Sequence, residues 1–205
     1  MFKKLKQIKM LLTYKNSNHL GDLAILKSEL FEAKIPPEVA SKFQEVVGYH
    51  PFIDLDKLSQ YPQGSFGREY ADHMQANHLR PFNISPELED VARCNVFALR
   101  YAVTHDIFHV LLGFDTTYAG EIGVLAFAVE QNYSKALKIG LWIAKLLYPM
   151  LAPQQIKAIL RNLSQGREMA KNADFLLGYR FEEHWLDSIA EVRKCLSLPP
   201  IATSS

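Results

Sequence analysis

The sequence has little of what marks several large protein classes. Its 205 residues include only two cysteines, Cys94 and Cys195, which match neither a disulfide framework nor a CxxC metal knuckle. We therefore expect two free, buried thiols in a reducing compartment. Glycine and proline number ten each, which excludes collagen-like and low-complexity chains. A hydrophobic fraction of 48% with 22% charged residues is typical of a globular protein.

An excess of charge of one sign is also lacking. The chain has 23 Lys and Arg against 22 Asp and Glu, so its formal net charge is +1. Proteins that bind nucleic acid usually carry a basic excess, and we expect no nucleic-acid partner.

Long hydrophobic runs are missing as well. No run approaches the roughly 18 to 20 apolar residues that a membrane span needs. The basic N-terminus lacks the apolar core and cleavage site of a secretory signal, and also the length and composition of an organelle transit peptide. The sequence therefore predicts a complete, cytoplasmic protein.

Apolar residues recur at helical spacing along most of the chain, and no run alternates as a strand does. The stripes are Val39, Phe43, Val46 and Val47; Phe66, Tyr70 and Met74; Ile156, Leu160 and Leu163; and Trp185, Ile189, Val192 and Leu196. Further helices are predicted over residues 23–31 and from Ser85, which is followed by Pro86 and Glu87. We predict an all-α fold, a single bundle-like domain of about seven to nine helices over residues 1–205.

One predicted helix differs from the others. Residues 96–112 (VFALRYAVTHDIFHVLL) are apolar on nearly every side, which indicates a central, buried helix. His105, Asp106 and His109 lie inside it. Because burying unpaired ionisable groups costs several kcal/mol, these side chains must be paired with other groups or must bind a ligand.

The spacing of this cluster suits a metal ion. His105 and His109 lie about 40° apart on one helix face, where two imidazoles can converge on one cation, and Asp106 lies on its flank. Eleven residues then separate His109 from Glu121, and they include Gly113 and Gly120, which let the helix end and the chain return. Glu121 should face back from the next helix. These donors suit Zn²⁺, Fe²⁺, Mn²⁺ or Co²⁺ and do not choose among them.

Other interpretations of the cluster stay open at this point. The same residues could form a hydrogen-bonded polar cluster without metal. A metalloprotease is disfavoured, because Asp106 stands where the HExxH motif has its longer Glu. An HD-type phosphohydrolase would recruit His73, His78 and Asp174, but it leaves the second imidazole and the later glutamate without a role.

Three segments carry a family resemblance. HDIFHVLLGFDTTYAGE, which reads as HDxxH, eleven residues and Glu, resembles the coenzyme Q biosynthesis protein 4 family. YPQGSFGREYADHM resembles the family's Gly-Ser/Thr-(Phe/Leu)-Gly-x-x-Tyr segment, and EEHWLDSIAEVRKCLSLPP resembles its C-terminal end. The three segments are distributed between residues 61 and 200.

The resemblance implies an α-helical peripheral membrane protein of ubiquinone biosynthesis. It implies that His105, Asp106, His109 and Glu121 bind a divalent metal. The implied reaction, that of a carbon–carbon lyase, removes the C1 carboxyl of a polyprenylated hydroxybenzoate, in some members with hydroxylation of that carbon. The alternative is a non-catalytic scaffold that binds prenyl lipids or quinone intermediates for other quinone-biosynthesis proteins. The absence of a mitochondrial leader suggests a bacterial member, at the inner membrane face.

A prenylated substrate needs an apolar path to the metal. Tyr101 and Leu112 lie within about 40° of His105 around the helix, so we expect them to line the path of the tail unless they simply pack in the core. Arg68 and Tyr118 are candidates for contact with a polar head group. A homodimer is expected because homodimers are common among soluble proteins.

The N-terminus is a candidate membrane-surface segment. Residues 1–12 place four lysines among apolar side chains, as a basic amphipathic helix on a lipid surface does. A packed or disordered terminus would fit the pattern equally well.

Overall fold

The computed structural model describes residues 35–82 and 95–200. Within these ranges seven α-helices and four 3₁₀ segments form the fold, and the β structure is an isolated bridge between Ser65 and Ser188. The α-helices are α1 (Leu55–Leu58), α2 (Phe66–Ala76), α3 (Val96–Leu112), α4 (Tyr118–Glu130), α5 (Lys135–Leu151), α6 (Ile156–Asn172) and α7 (Ile189–Cys195). The 3₁₀ segments are Pro37–Val46, Pro153–Gln155, Leu176–Gly178 and Phe181–Glu183.

The predicted all-α fold is confirmed. The helices predicted over residues 23–31 and from Ser85, the segment 1–12 and Cys94 lie outside the described residues.

Local sequence explains where most of the helices begin. Six of the α-helices start at a side-chain oxygen that accepts a hydrogen bond from a free backbone N–H of the first turn. These caps are Asp54, Ser65, Asn95, Thr117, Ser134 and Ser188, in the order of the helices they precede. Glu191 completes a reciprocal capping box with Ser188 at the start of α7.

Helix α3 occupies the centre, with the bounds that the sequence predicts. Of its 17 residues 13 are buried. It ends at Gly113, whose φ of 71° lies in the left-handed region that glycine adopts without strain. The chain then reverses within a few residues into α4.

Arg100 joins α3 to two distant parts of the chain. Its guanidinium is fully buried, and its Nη1 donates to Glu182 Oε1 at 2.8 Å and to the backbone oxygen of Tyr49 at 3.1 Å. Its Nη2 donates to the backbone oxygen of Tyr179 at 2.8 Å. The side chain of Glu182 is only 3% exposed, so this is a buried ion pair that fixes α3 against the C-terminal segments.

Several sequence expectations need correction. Residues 37–46 form a 3₁₀ helix rather than an α-helix, and Val47 falls outside the buried stripe and is exposed. Trp185 precedes α7 and stacks on Phe66 instead. Cys195 is an exposed thiol, because Val192 and Leu196 occupy the buried face of its helix.

None of the described helices alone is both long and apolar enough to cross a membrane. Helix α5 and the segment Pro153–Asn172 reach that length and composition only as a pair, which is bent by 111°.

Helices α4 and α6 approach each other through glycine. A Cβ at Gly166 of α6 would run into the carbonyl oxygen of Gly123 on α4. Since the contact atom is backbone, it has little freedom to move away.

We predict that Gly166→Ala lowers the free energy of unfolding by about 1 to 3 kcal/mol, the usual cost of overpacking. This outweighs the roughly 1 kcal/mol by which alanine favours a helix. Gly140→Ala is the matched control: nothing lies within 4 Å of its added Cβ, so the propensity gain should appear alone. Urea titration followed by circular dichroism measures both, and equal effects would contradict the close approach of α4 and α6.

Candidate metal centre

His105, His109 and Glu121 meet at one point of the fold. One ligand atom from each lies within 4.8 Å of the other two. His109 Nε2 is 3.3 Å from Glu121 Oε1, and His105 Nε2 is 3.6 Å from Glu121 Oε2. The structure therefore brings together three of the four predicted ligands, in a group that could hold a metal ion.

The return of Glu121 depends on how α4 begins. Asn162 Nδ2 donates to the backbone oxygen of Ala119 at 2.8 Å, and the N–H of Ala119 donates to Gln155 Oε1 at 3.0 Å. Gly120 is required beside them, because a Cβ there would run into Asp115. Amide side chains from the α6 region thus hold the first turn of α4, on which Glu121 lies.

His109 is prepared to act as a ligand. The residue is 1% exposed, and its Nδ1 lies 3.2 Å from the backbone oxygen of Phe114. If Nδ1 donates its proton there, Nε2 keeps a free lone pair directed away from the carbonyl. Nε2 is buried and makes no well-oriented hydrogen bond within the described residues. An orphaned, buried imidazole nitrogen beside a carboxylate fits a divalent metal.

The charges around His109 favour its protonation in the metal-free protein. Burial opposes protonation, but the Glu121 carboxylate, the Phe114 carbonyl and the Asp106 charge together raise the pKa of His109 above its ordinary 6.5.

Asp106 takes a different place from the other predicted ligands. Its Oδ1 lies 3.6 Å from Nδ1 of His105, on the opposite side of that ring from Glu121. It is not one of the three residues whose ligand atoms converge.

The four predicted substrate residues are dispersed. Tyr101 lies edge-on to His105 with ring centroids 5.7 Å apart, and Tyr118 is exposed at the start of α4. Arg68 pairs with Asp72 on the surface of α2 at 2.8 Å. Leu112 lies in the main core and borders a groove formed by α6, α7 and residues 197–200.

Two further side chains border the centre. The ring of His73 on α2 lies parallel to that of His109 with centroids 6.0 Å apart, and burial together with His109 lowers the pKa of His73. Tyr148 on α5 lies 5.0 Å from Tyr118, and burial and the charge of Glu121 raise its pKa. Sequence reasoning gave His73 a role only in the phosphohydrolase alternative and gave no indication of Tyr148. The contacts of both side chains join helices that are distant in sequence, so local spacing does not reveal them.

The model of the family "Coenzyme Q (ubiquinone) biosynthesis protein Coq4" matches residues 49–201, which include the whole centre. The chain belongs to this family. The resemblance predicted from the three sequence segments is confirmed.

Two vertebrate proteins are among the curated relatives that the chain resembles. The ubiquinone biosynthesis protein COQ4 homolog, mitochondrial, of Xenopus tropicalis is 29% identical over 149 residues, which are 72% of this chain and 52% of the frog protein. Its human counterpart is 28% identical over 153 residues, 73% of this chain and 57% of the human protein. The chain thus spans about half the length of the curated relatives it matches.

A solved structure covers nearly the whole chain. The crystal structure of a protein from Nostoc punctiforme matches with a TM-score of 0.65 and 26% identity. The match covers 96% of both chains, which supports the helical architecture derived above.

The raised pKa of His109 gives a pH prediction. Below 6.5, its ordinary pKa, both folded and unfolded protein hold this proton and the stabilisation is complete. As pH rises through the raised pKa of the folded state, that stabilisation is lost. The free energy of unfolding of chelator-treated protein should therefore fall across this window.

His109→Gln should flatten this dependence, whereas His50→Gln, at a partly buried histidine outside the centre, should leave it intact. Denaturant titrations at a series of pH values give the comparison. An unchanged slope in His109→Gln would show that another group titrates.

Proposed function

We propose that the protein acts in ubiquinone or related prenylquinone biosynthesis as a metal-dependent lyase, which removes the C1 carboxyl of a polyprenylated hydroxybenzoate. Membership of the family supports the pathway. The convergence of His105, His109 and Glu121 supports the chemistry, and it is the observation that carries the proposal. The curated relatives described as mitochondrial are longer than this chain. The activity proposed here therefore rests on the residues of this chain and is not transferred from those proteins.

Three side chains would hold the metal. His105 and His109 offer neutral nitrogen and Glu121 offers anionic oxygen, a donor set shared by zinc, iron, manganese and cobalt sites. When bound, a divalent ion supplies Lewis acidity that stabilises the negative charge left on the ring as carbon dioxide departs. Asp106 Oδ1 lies 3.6 Å from Nδ1 of His105, so a small closure of this distance would let the carboxylate orient the imidazole.

Aromatic side chains surround the centre. Tyr101 packs edge-on against His105, and Tyr118 and Tyr148 contact each other near Glu121. These aromatic faces suit a flat substrate ring. The lowered pKa of His73 keeps that imidazole neutral near pH 7, so it adds no positive charge to the metal's own.

The reaction consumes one proton, which replaces the carboxyl on C1, and needs no oxidant. A variant of the reaction that puts a hydroxyl on C1 requires dioxygen and two electrons from a reductant. Comparing turnover with and without oxygen separates these two forms of the proposal.

Glu121→Gln tests the lyase directly, because it keeps the volume of the side chain and removes its charge. We expect metal per chain, measured by elemental mass spectrometry, to fall from about one to well below one, since a ligand charge is lost. Decarboxylation of a polyprenylated hydroxybenzoate should be lost with it, while circular dichroism stays unchanged.

Glu130→Gln, at the exposed end of the same helix, is the matched control and should keep both metal and activity. Wild-type turnover in Glu121→Gln would exclude a catalytic metal at this centre. Metal binding by the wild type without any turnover would instead favour the scaffold, in which the ion orients a prenylated head group.

A further inference from the structure

Helix α5 turns an apolar face to the solvent. Ile139, Trp142, Leu146 and Met150 are 64%, 66%, 55% and 78% exposed, and they recur every three or four residues along one side. The opposite side contributes Leu141 and Ala144 to a small core with α4 and α6. We call the exposed stripe the α5 face; its members are Ile139, Trp142, Ile143, Leu146, Leu147, Met150 and Leu151.

The stripe is concentrated rather than scattered. Of the 13 exposed large hydrophobic side chains in the described residues, seven belong to the α5 face and two, Ile156 and Leu160, follow at the start of α6. Scattered exposed apolar residues are normal, but a contiguous patch of this kind marks an interaction surface.

The segment that carries this surface has charge of one sign. Residues 131–167 contain six basic side chains and no acidic one, although the whole chain is nearly neutral. Lys138 and Lys145 lie two turns apart on one flank of α5, and both are exposed. Exposed Lys157 and Arg161 alternate with the apolar residues at the start of α6.

We propose that the α5 face is a membrane-docking surface, on which the protein rests on a bilayer that contains anionic lipids. An apolar stripe edged by lysines is the pattern of a helix lying in the plane of the interface, with its apolar side among acyl chains and its amines at the phosphates. The lysine stems can bury their methylenes while the charged ends reach the head groups.

Charge separates this partner from the two protein alternatives. A two-fold dimer through the α5 face would bring the same surface against itself, so its lysines would meet without an acid in residues 131–167 to pair with them. Residues 1–12 carry four lysines and no acid, and they are equally mismatched in charge. An anionic lipid surface complements both the apolar stripe and the rim.

Helix α5 also connects the docking surface to the metal centre. Tyr148 lies on the side of α5 that packs into the core, and its ring is 5.0 Å from that of Tyr118, one turn before Glu121. The side chain of Glu121 is 34% exposed. With α5 on the bilayer, the centre therefore lies one helix away from the lipid. That this position serves a substrate with a prenyl tail rests on the proposed function, whereas the docking itself does not.

Vesicle binding by the full chain tests the surface. We compare co-sedimentation with phosphatidylcholine vesicles and with vesicles that also contain phosphatidylglycerol. Wild type should prefer the anionic vesicles. Trp142→Asp with Met150→Asp should weaken binding by about tenfold or more, because two inserting apolar side chains are lost and two negative charges are added that the lipid repels. Phe52→Asp with Leu186→Asp is the matched control, since those side chains are 78% and 67% exposed elsewhere, and binding should be retained.

The lysine rim is tested separately. Lys138→Glu with Lys145→Glu should remove the preference for anionic vesicles, whereas Lys57→Glu on α1 should keep it. A preference that survives the double charge reversal would contradict the assigned rim.

Tryptophan fluorescence locates the contact. The chain has two tryptophans, and Trp185 is packed against Phe66 and Tyr70 while Trp142 projects from the α5 face. Vesicles with brominated acyl chains should quench wild-type emission on binding, and Trp142→Phe should abolish that quenching while leaving co-sedimentation in place. Persistent quenching in Trp142→Phe would place the contact elsewhere.

Two further measurements separate the remaining outcomes: the mass of the protein in solution, and vesicle binding by a variant of the metal centre. Wild type and the Trp142→Asp, Met150→Asp variant should have the same mass in solution without lipid. A drop in mass for the variant would overturn the proposal in favour of a second copy of the chain, as would unchanged vesicle binding. Glu121→Gln should bind vesicles as wild type does, so failure of the lyase proposal and failure of docking are distinguishable.

Discussion

Helix α3 is buried on almost every side, yet it carries ionisable groups, and the rest of the fold is arranged to pair them. Arg100 is matched by Glu182 and by two backbone oxygens. One end of His109 is satisfied by the Phe114 carbonyl and the other faces Glu121. Because an unpaired buried charge is far more costly than a paired one, the positions of the C-terminal segments and of α4 follow from this helix. Pairing the ionisable groups of α3 therefore both fixes the neighbouring segments and brings the candidate ligands together.

The sequence predicted the parts of this arrangement that depend on local signals. The bounds of α3, the reversal after Gly113 and the place of Glu121 on the next helix follow from periodicity, a left-handed glycine and spacing. The pairing of Arg100 with Glu182, 82 residues away, and the stacking of His73 on His109 do not. Periodicity tells which face of a helix is apolar, but it does not say which distant helix covers that face.

Helix α5 gives a second example of this limit of periodicity. Its apolar residues at helical spacing resemble those of a core helix, and Leu160 on α6 also belongs to a regular stripe, yet these side chains face solvent. The distinguishing signal was the absence of acidic residues from 131–167, which the nearly neutral total charge conceals. Local charge asymmetry, read against an apolar stripe, carries information that the net charge does not.

The ends of two helices explain why the centre forms at this place. His109 lies in the last turn of α3 and Glu121 in the first turn of α4. A helix C-terminus favours a cation and a helix N-terminus favours a carboxylate, so the two dipoles support a protonated imidazole beside an anion. The ends of the two helices therefore hold His109 and Glu121 beside each other, and a metal that binds Nε2 of His109 has to displace any proton held there.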